Sequence, residues 1–311
     1  MCCEPKIAYD WKAAERAAQE VGVRWVGDHS MADYTTMGVG GPAALAFPRT
    51  ISQVADFLSA MAGESIPWRV IGWGSNLLVT DARLPFVVVS LNDLEKSARF
   101  AGNELEVSAN FYMPRLVRKA MDKSLAGLEE LGGIPGSVGG MVRMNAGAYG
   151  KEMKEVVKEV ITARSGTGVR HLSRSQLDFA YRHSAIGTDE IVLQACLLLH
   201  SDDPREIARR VKFDRQERKR SQPLHEKSAG CIFKNPTDQS GTIVPAGKLI
   251  EDLSLKGKTM GGAVVSEKHG NFIVNRHKAT CSDIFALIDV VKAIVLKETG
   301  ITLEEEVEIW K

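Results

Sequence analysis

Residues 132–150, GGIPGSVGGMVRMNAGAYG, limit what this chain can become more than any other stretch. Glycine and alanine are too dense there for the segment to build a core from its own side chains. A backbone so thinly clothed suits close wrapping around a large anionic ligand such as a dinucleotide, because glycine lets peptide N–H groups approach an oxyanion. A second segment, RVIGWGSNLLV at 69–79, follows related logic: a strand, a Gly-x-Gly-Ser-Asn turn, then an apolar strand-like run. Ser75 and Asn76 add side-chain donors. Either loop alone reads equally well as an ordinary tight turn; the two together favour a ligand site. Neither fits the commoner nucleotide motifs. A GxGxxG fingerprint fails because Leu77 stands at the third glycine position after Gly72 and Gly74. A P-loop fails at TIVPAGKL, 242–249, which has Thr at the first glycine position and Leu at the last.

A chain of 311 residues implies two or three domains. Forty basic residues against 39 acidic ones leave a net charge of +1, which argues against nucleic acid or an anionic membrane as the main partner. The five cysteines (Cys2, Cys3, Cys196, Cys231 and Cys281) are odd in number and form no CxxC pair. Reduced thiols in a cytoplasm are therefore expected, with no metal site. The opening MCCEPKIAYDWK has no apolar signal-peptide core, and no apolar run approaches the ~20 residues that span a bilayer. The reading is a soluble, cytoplasmic protein.

Periodicity predicts an amphipathic helix over Asp10–Glu20 and a turn-rich stretch at 33–43. Ser52 is expected to cap a helix with Val54, Phe57, Leu58 and Met61 inward and Gly63 at its end. Strands are expected at Trp68–Ile71, Phe86–Leu91, Leu105–Ala109, Val156–Ala163 and Ile191–Leu199. Pro114 is expected to open a helix, and a charged helix to run from Pro204 to about Arg220. Beyond it the chain reads as loop-like to residue 281, where Ser282 caps a last helix that Gly300 ends. Mixed order without βαβ alternation gives an α+β class, with a boundary near residue 204.

Eight motifs fall in one order along the chain: GVGGPA at 38–43, GWGSNLLV at 72–79, GIPGSVGGMVRMNAGAYG at 133–150, YRHS at 181–184, QPLHEKSAGCIFKNP at 222–236, AGKLIEDLSLKG at 246–257, VSEKHGNFIVN at 265–275 and GITLEEEVEIW at 300–310. Taken in that order, they resemble the UDP-N-acetylenolpyruvoylglucosamine reductase family. The resemblance implies a vanillyl-alcohol-oxidase-type fold: FAD-binding subdomains at 1–63 and 64–204, then an α+β substrate domain at 205–311. The short spacing from Pro236 to Ala246 resembles the family type without an inserted tyrosine loop. Implied contacts to non-covalent FAD are Gly72, Gly74, Ser75, Asn76, Leu77, Gly136, Ser137, Gly139, Gly140, Asn145, Ala146, Gly147 and Ala148. Tyr181, Lys234, Asn235, Lys248, Lys268 and His269 are implied to contact substrate. The implied partners are UDP-N-acetylglucosamine enolpyruvate and NADPH, with no nucleic acid and no membrane, acting on a monomer.

The implied chemistry passes hydride from NADPH to flavin N5 and then to C3 of the enolpyruvyl group, with a proton added at C2. Charge developing at C2 spreads into the adjacent carboxylate, so cationic or acidic hydrogen-bonding groups are needed there. Arg182 matches the family arginine that engages the carboxylate, and its planar fork suits that task. Glu306 matches the family glutamate that hydrogen-bonds the carboxylate as the enolic intermediate forms, while Glu304, Glu305 and Glu308 read as a solvated acidic run. Cys231 departs from the family's serine proton donor; a thiol with pKa near ~8.5 is the stronger acid and stays mostly protonated at neutral pH. Ser221 replaces a family lysine before Gln222, so Arg218, Lys219 or Arg220 would have to supply that diphosphate contact. The basic run Arg209–Arg220 is interrupted by Asp214 and Glu217 and reads as a solvated helix face. Rival readings are a same-fold flavin oxidase with another substrate and a nucleotide-sugar-binding regulator without catalysis.

Overall fold

The computed structural model describes residues 10–311 except Gln239; Cys2 and Cys3 lie outside the described residues. Two compact units form, and they are not collinear with the sequence. The first takes the chain through Asp28, then Ala43–Trp73 and Pro85–Gln216; the second takes His29–Pro42, Gly74–Leu84 and Glu217–Lys311.

The first unit holds two sheets. In one, the strands Pro42–Phe47 and Trp68–Ile71 flank Val87–Ser90 in parallel, with Arg24–Ser30 outermost. Val87, Val88 and Val89 are fully buried, as expected for a strand covered on both faces. The other is antiparallel, ordered Gly168–Ser173, Val157–Arg164, Glu190–Leu198, Glu104–Ser108, Ala98–Ala101. Helix Ile51–Gly63 buries Val54, Phe57, Leu58 and Met61 at helical spacing, as read from the sequence. Its cap is Thr50 and not Ser52: Thr50 Oγ1 accepts from the Gln53 N–H at 3.1 Å, and Ser52 only bonds Thr50. Helix Met113–Met121 opens with Pro114, where the missing N–H costs nothing.

The second unit is built on a four-stranded antiparallel sheet ordered Lys227–Cys231, Phe272–Asn275, Ala263–Val265, Thr259–Met260. Loop-like reading of this stretch is thus corrected; its strands are two to five residues long, too short to declare a period. Helix Cys281–Thr299 lays Ile284, Leu287, Ile288, Val291 and Val295 into this unit's core. Thr280, not Ser282, caps it, through a reciprocal box with Asp283, while Ser282 bonds Asp81. Gly300 ends it in the left-handed region at φ 72°, as the sequence indicated. The last strand, Glu308–Trp310, pairs in parallel with Leu77–Val79. No helix among the described residues is long and apolar enough to cross a membrane.

Candidate active site

In the first unit the glycine-rich segment is a scaffold as much as a cradle. Asn145 is fully buried in the left-handed region at φ 42°. Its amide donates to Glu152 Oε2 at 3.1 Å and to the Ala180 carbonyl at 2.9 Å, and accepts from the Lys154 N–H at 2.9 Å. Ala180 and His183 close a two-residue turn whose tip is Tyr181 and Arg182. Ser184 fastens the same turn by donating to the Arg143 carbonyl at 2.7 Å. Arg182 itself sits at φ 54°, donates to the Gly147 carbonyl at 3.3 Å and lies 4.9 Å from the Tyr181 ring. Sequence-distant YRHS and MNAGA are therefore one piece of structure, which holds an arginine at a strained turn.

The two glycine loops also meet within this unit. A Cβ on Gly72 would stand 2.5 Å from Ser137 Oγ. Ser137 is buried, caps the short helix Val138–Arg143 by accepting from Gly140, and is bridged to Tyr112. Gly136 accepts from the Met113 N–H, and Gly139 packs on Ala109, so that helix is fixed from both sides. Ala146 and Ala148 flank Gly147 at the start of the Gly147–Ala148/Lys151–Glu152 ribbon. Trp73 stacks on Tyr112 with centroids 4.1 Å apart. Neither aromatic ring was singled out from sequence; a tryptophan between two turn glycines was the available signal.

The second unit brings Asn76, Cys231 and Glu306 to one place. The Glu306 and Val307 N–H groups both point at the Ile232 carbonyl, at 2.8 and 3.4 Å, so Glu306 lies beside the residue after Cys231. Asn76 Nδ2 donates to the Glu306 carbonyl at 3.1 Å, and the Glu308 N–H returns to the Asn76 carbonyl at 3.0 Å. Thr36 then joins the glycine turn to the cysteine strand. Its hydroxyl donates to the Ser228 carbonyl at 2.6 Å and its N–H to the Gly74 carbonyl at 3.1 Å. Gly74 is required by that closeness: a Cβ would sit 2.0 Å from the Tyr34 carbonyl oxygen, at φ 59°. Asn271 clamps the same strand, trading two hydrogen bonds with Phe233 at 2.9 and 2.8 Å.

The acidic run resolves by partner. Glu304 pairs with Lys234 at 3.4 Å, and Glu308 accepts from the Trp310 indole at 3.0 Å. Glu305 is not solvated as expected. It is half-buried against Lys292 at 2.7 Å, which holds its carboxyl below the usual range although burial alone would raise it. The backbone of Glu304, Glu305 and Glu306 runs along residues 232–234, and Glu306 is the member opposite Ile232, the residue after Cys231.

Several expected substrate contacts spend their polar groups on the protein. Lys248 pairs with Asp252 at 2.9 Å, and the Lys268 ammonium caps the charged helix at the Lys219 carbonyl. Asn235 accepts from the Ala246 N–H at 3.0 Å. His269 accepts from the Asn271 N–H at 3.1 Å and packs edge-on to Phe272. Burial, with Lys256 nearby, holds its imidazole below the ordinary value. Among the described cysteines, Cys196 and Cys281 are buried and Cys231 is not. Burial pushes the Cys281 thiol up to about 12 and raises Cys196 as well. No group of His, Cys, Asp or Glu that could hold a metal occurs among the described residues.

Comparison with known proteins gives two family matches: an FAD-binding domain over residues 42–168 and the C-terminal domain of UDP-N-acetylenolpyruvoylglucosamine reductase over residues 222–310. A reductase of that name from Bacillus subtilis is 39% identical over 303 residues, covering 95% of this chain and 98% of its own. One from Geobacter sulfurreducens is 39% identical over 300 residues, covering 96% and 98%. The crystal structure of a UDP-N-acetylenolpyruvylglucosamine reductase from Thermus caldophilus superposes with a TM-score of 0.78 at 38% identity, over 93% of this chain and 99% of that one.

Proposed function

The chain belongs to the UDP-N-acetylenolpyruvoylglucosamine reductase family, and on that premise we propose that it reduces UDP-N-acetylglucosamine enolpyruvate to UDP-N-acetylmuramate with electrons from NADPH. As a member it is an FAD-dependent oxidoreductase of peptidoglycan precursor synthesis. Its place of work is then the cytoplasm, and the monomer is the working form. We assign residues 1–63 and 64–204 to FAD and 205–311 to the sugar nucleotide.

The donor set suits FAD. Neither glycine loop contains a carboxylate, and Arg143 is the one charged side chain in 132–150. Exposed Gly140 leaves its backbone approachable. Residues Gly72, Gly74, Ser75, Asn76, Leu77, Gly136, Ser137, Gly139, Gly140, Asn145, Ala146, Gly147 and Ala148 are assigned to hold it. FAD, once reduced, supplies the hydride that adds to C3.

The protein's own groups supply the rest. The Cys231 S–H gives its proton to C2, so hydride and proton together saturate the double bond; the thiolate left behind regains a proton from water. Arg182 offers a permanent charge to the substrate carboxylate, where developing negative charge spreads. Glu306 shares a proton with that carboxylate, since two bare carboxylates would repel. Tyr181, Lys234, Asn235, Lys248, Lys268 and His269 are assigned to the sugar nucleotide; the polar groups of the last four also make bonds within the protein.

The reading is carried by one observation: the N–H of Glu306 bonds the carbonyl of Ile232, the residue next to Cys231 and 74 positions from Glu306 in sequence, and Asn76 Nδ2 donates to the Glu306 carbonyl. The test is to reduce the protein-bound flavin without oxygen, add UDP-N-acetylglucosamine enolpyruvate and follow flavin absorbance. Rapid reoxidation is expected; a flavin that stays reduced refutes this substrate.

A further inference from the structure

The helix Pro204–Ser221 presents a face that its sequence disguises. Asp214 and Glu217, which interrupt the basic run on paper, do not interrupt it in space: Asp214 is buried and Glu217 is half-buried against Arg220. At 100° per residue, Arg205, Arg209, Lys212, Arg215, Lys219 and Arg220 fall on one arc of about 160°, shared only with Ala208, Gln216 and Phe213. All nine are exposed. The arc carries no acid. It runs about 22 Å along the axis. Arg209 and Arg220 are ion-paired, to Glu206 and Glu217 at its margin. Arg205, Lys212, Arg215 and Lys219 have no side-chain partner among the described residues.

We propose that this face docks the enzyme on an anionic phospholipid surface. Six cations clustered on one helix face match the arrangement by which basic helices bind acidic headgroups. The rest of the molecule argues the same way. With these six set aside, 34 basic residues face 39 acidic ones, so this helix is where such a surface attracts rather than repels the protein. Phe213 selects among anions. It stands 59% exposed beside the cations. A headgroup layer accepts a protruding phenyl ring at its acyl boundary without a complementary pocket, whereas a nucleic acid duplex or an acidic peptide would leave it in water. The helix does not insert, since Ile207 is buried and Val211 packs against the first unit's core. Binding is therefore weak, reversible and salt-sensitive.

The test is co-sedimentation of the holoenzyme with vesicles of phosphatidylcholine alone or with about one-third phosphatidylglycerol. Sedimentation with the anionic vesicles at about 0.02 M salt and release at about 0.5 M is expected. R205Q/K212Q/R215Q is expected to lower the partition coefficient on the order of 100-fold, at roughly fivefold per cation. F213A should lower it several-fold, and both variants should keep full activity and an unchanged Tm. No sedimentation of wild-type enzyme at low salt overturns the proposal. So does binding to duplex DNA or polyglutamate that matches vesicle binding and ignores F213A.

Discussion

Replacing Asn145 should damage the enzyme through its fold before any ligand is considered. The side chain makes three hydrogen bonds, which tie together the 143–148 segment, the Lys151–Glu152 strand and the turn carrying Arg182. At about 1 kcal/mol net each, their loss comes to ~3 kcal/mol. The Ala180 carbonyl keeps its bond from the His183 N–H, which brings the figure to about 2 kcal/mol. Asn145→Gly should show that loss and little else, because glycine tolerates φ 42°. Asn145→Ala adds about 1 kcal/mol of left-handed strain, for ~3 kcal/mol. Asn145→Asp keeps the acceptor for Lys154 but turns the donor into a second carboxylate beside Glu152, and should be at least as costly as alanine. Urea denaturation of the three variants measures the order Gly, then Ala and Asp. The loosened turn should also raise KM for the sugar nucleotide more than for NADPH. An Asp variant as stable as wild type would refute the assignment of the amide, and an Ala variant equal to Gly would refute the strain.

In the substrate-reduction half-reaction, Cys231→Ser should stay within about tenfold of wild type, and Cys231→Ala should lose at least ~100-fold while flavin reduction by NADPH is unchanged. Equal rates in all three enzymes would remove Cys231 from the proton transfer. Iodoacetamide followed by peptide mapping should modify Cys231 well before Cys196 and Cys281, and activity should fall with the Cys231 label. His269 has a folded-state pKa below its unfolded one, so the unfolded chain binds the extra proton first. Stability should be complete above about pH 6.5 and fall as pH drops through the folded value, a Tm slope that H269Q should flatten.

Long elements were legible because burial imposes a period on them. The helices over 51–63 and 281–299 and the strands Val157–Arg164 and Glu190–Leu198 all sit within a residue or two of where their apolar spacing put them. Caps were misassigned by two residues at Ser52 and Ser282, because each site offers two hydroxyls and only main-chain geometry chooses between them. The sheet at 227–275 was invisible for want of length. Membership of 29–42 and 74–84 in the second unit was also unreadable, since no composition shift marks them. Around the candidate site, residue types and order pointed to Cys231 and Glu306. The four glutamates of the run look alike in sequence; the structure gives Glu304 to Lys234, Glu305 to Lys292 and Glu308 to the Trp310 indole, while the role of Glu306 stays a proposal that the Cys231 and substrate experiments test.

Glycine density was the first clue to a ligand, yet it mixes two causes that one substitution can separate. Gly74 is demanded by the protein: a methyl there would overlap the Tyr34 carbonyl whatever binds. Gly140 is different. It lies exposed in the helix Val138–Arg143, and among the described residues a Cβ there would meet the Ser137 hydroxyl at 3.3 Å, an oxygen that can swing aside by the few tenths of an ångström required. Alanine is favoured over glycine in a helix by about 0.5–1 kcal/mol, which offsets that adjustment. Gly140→Ala should therefore fold with an unchanged or slightly raised denaturation midpoint. If bound FAD lies against this backbone, the same methyl occupies space it needs, and the variant should purify with little flavin and bind added FAD at least ~10-fold more weakly. A Gly140→Ala protein as yellow as wild type would mean that the backbone here is not approached. Glycine density in 132–150 would then report how closely the chain packs on itself, and the FAD assignment would rest on Gly72, Ser137 and the 74–77 turn.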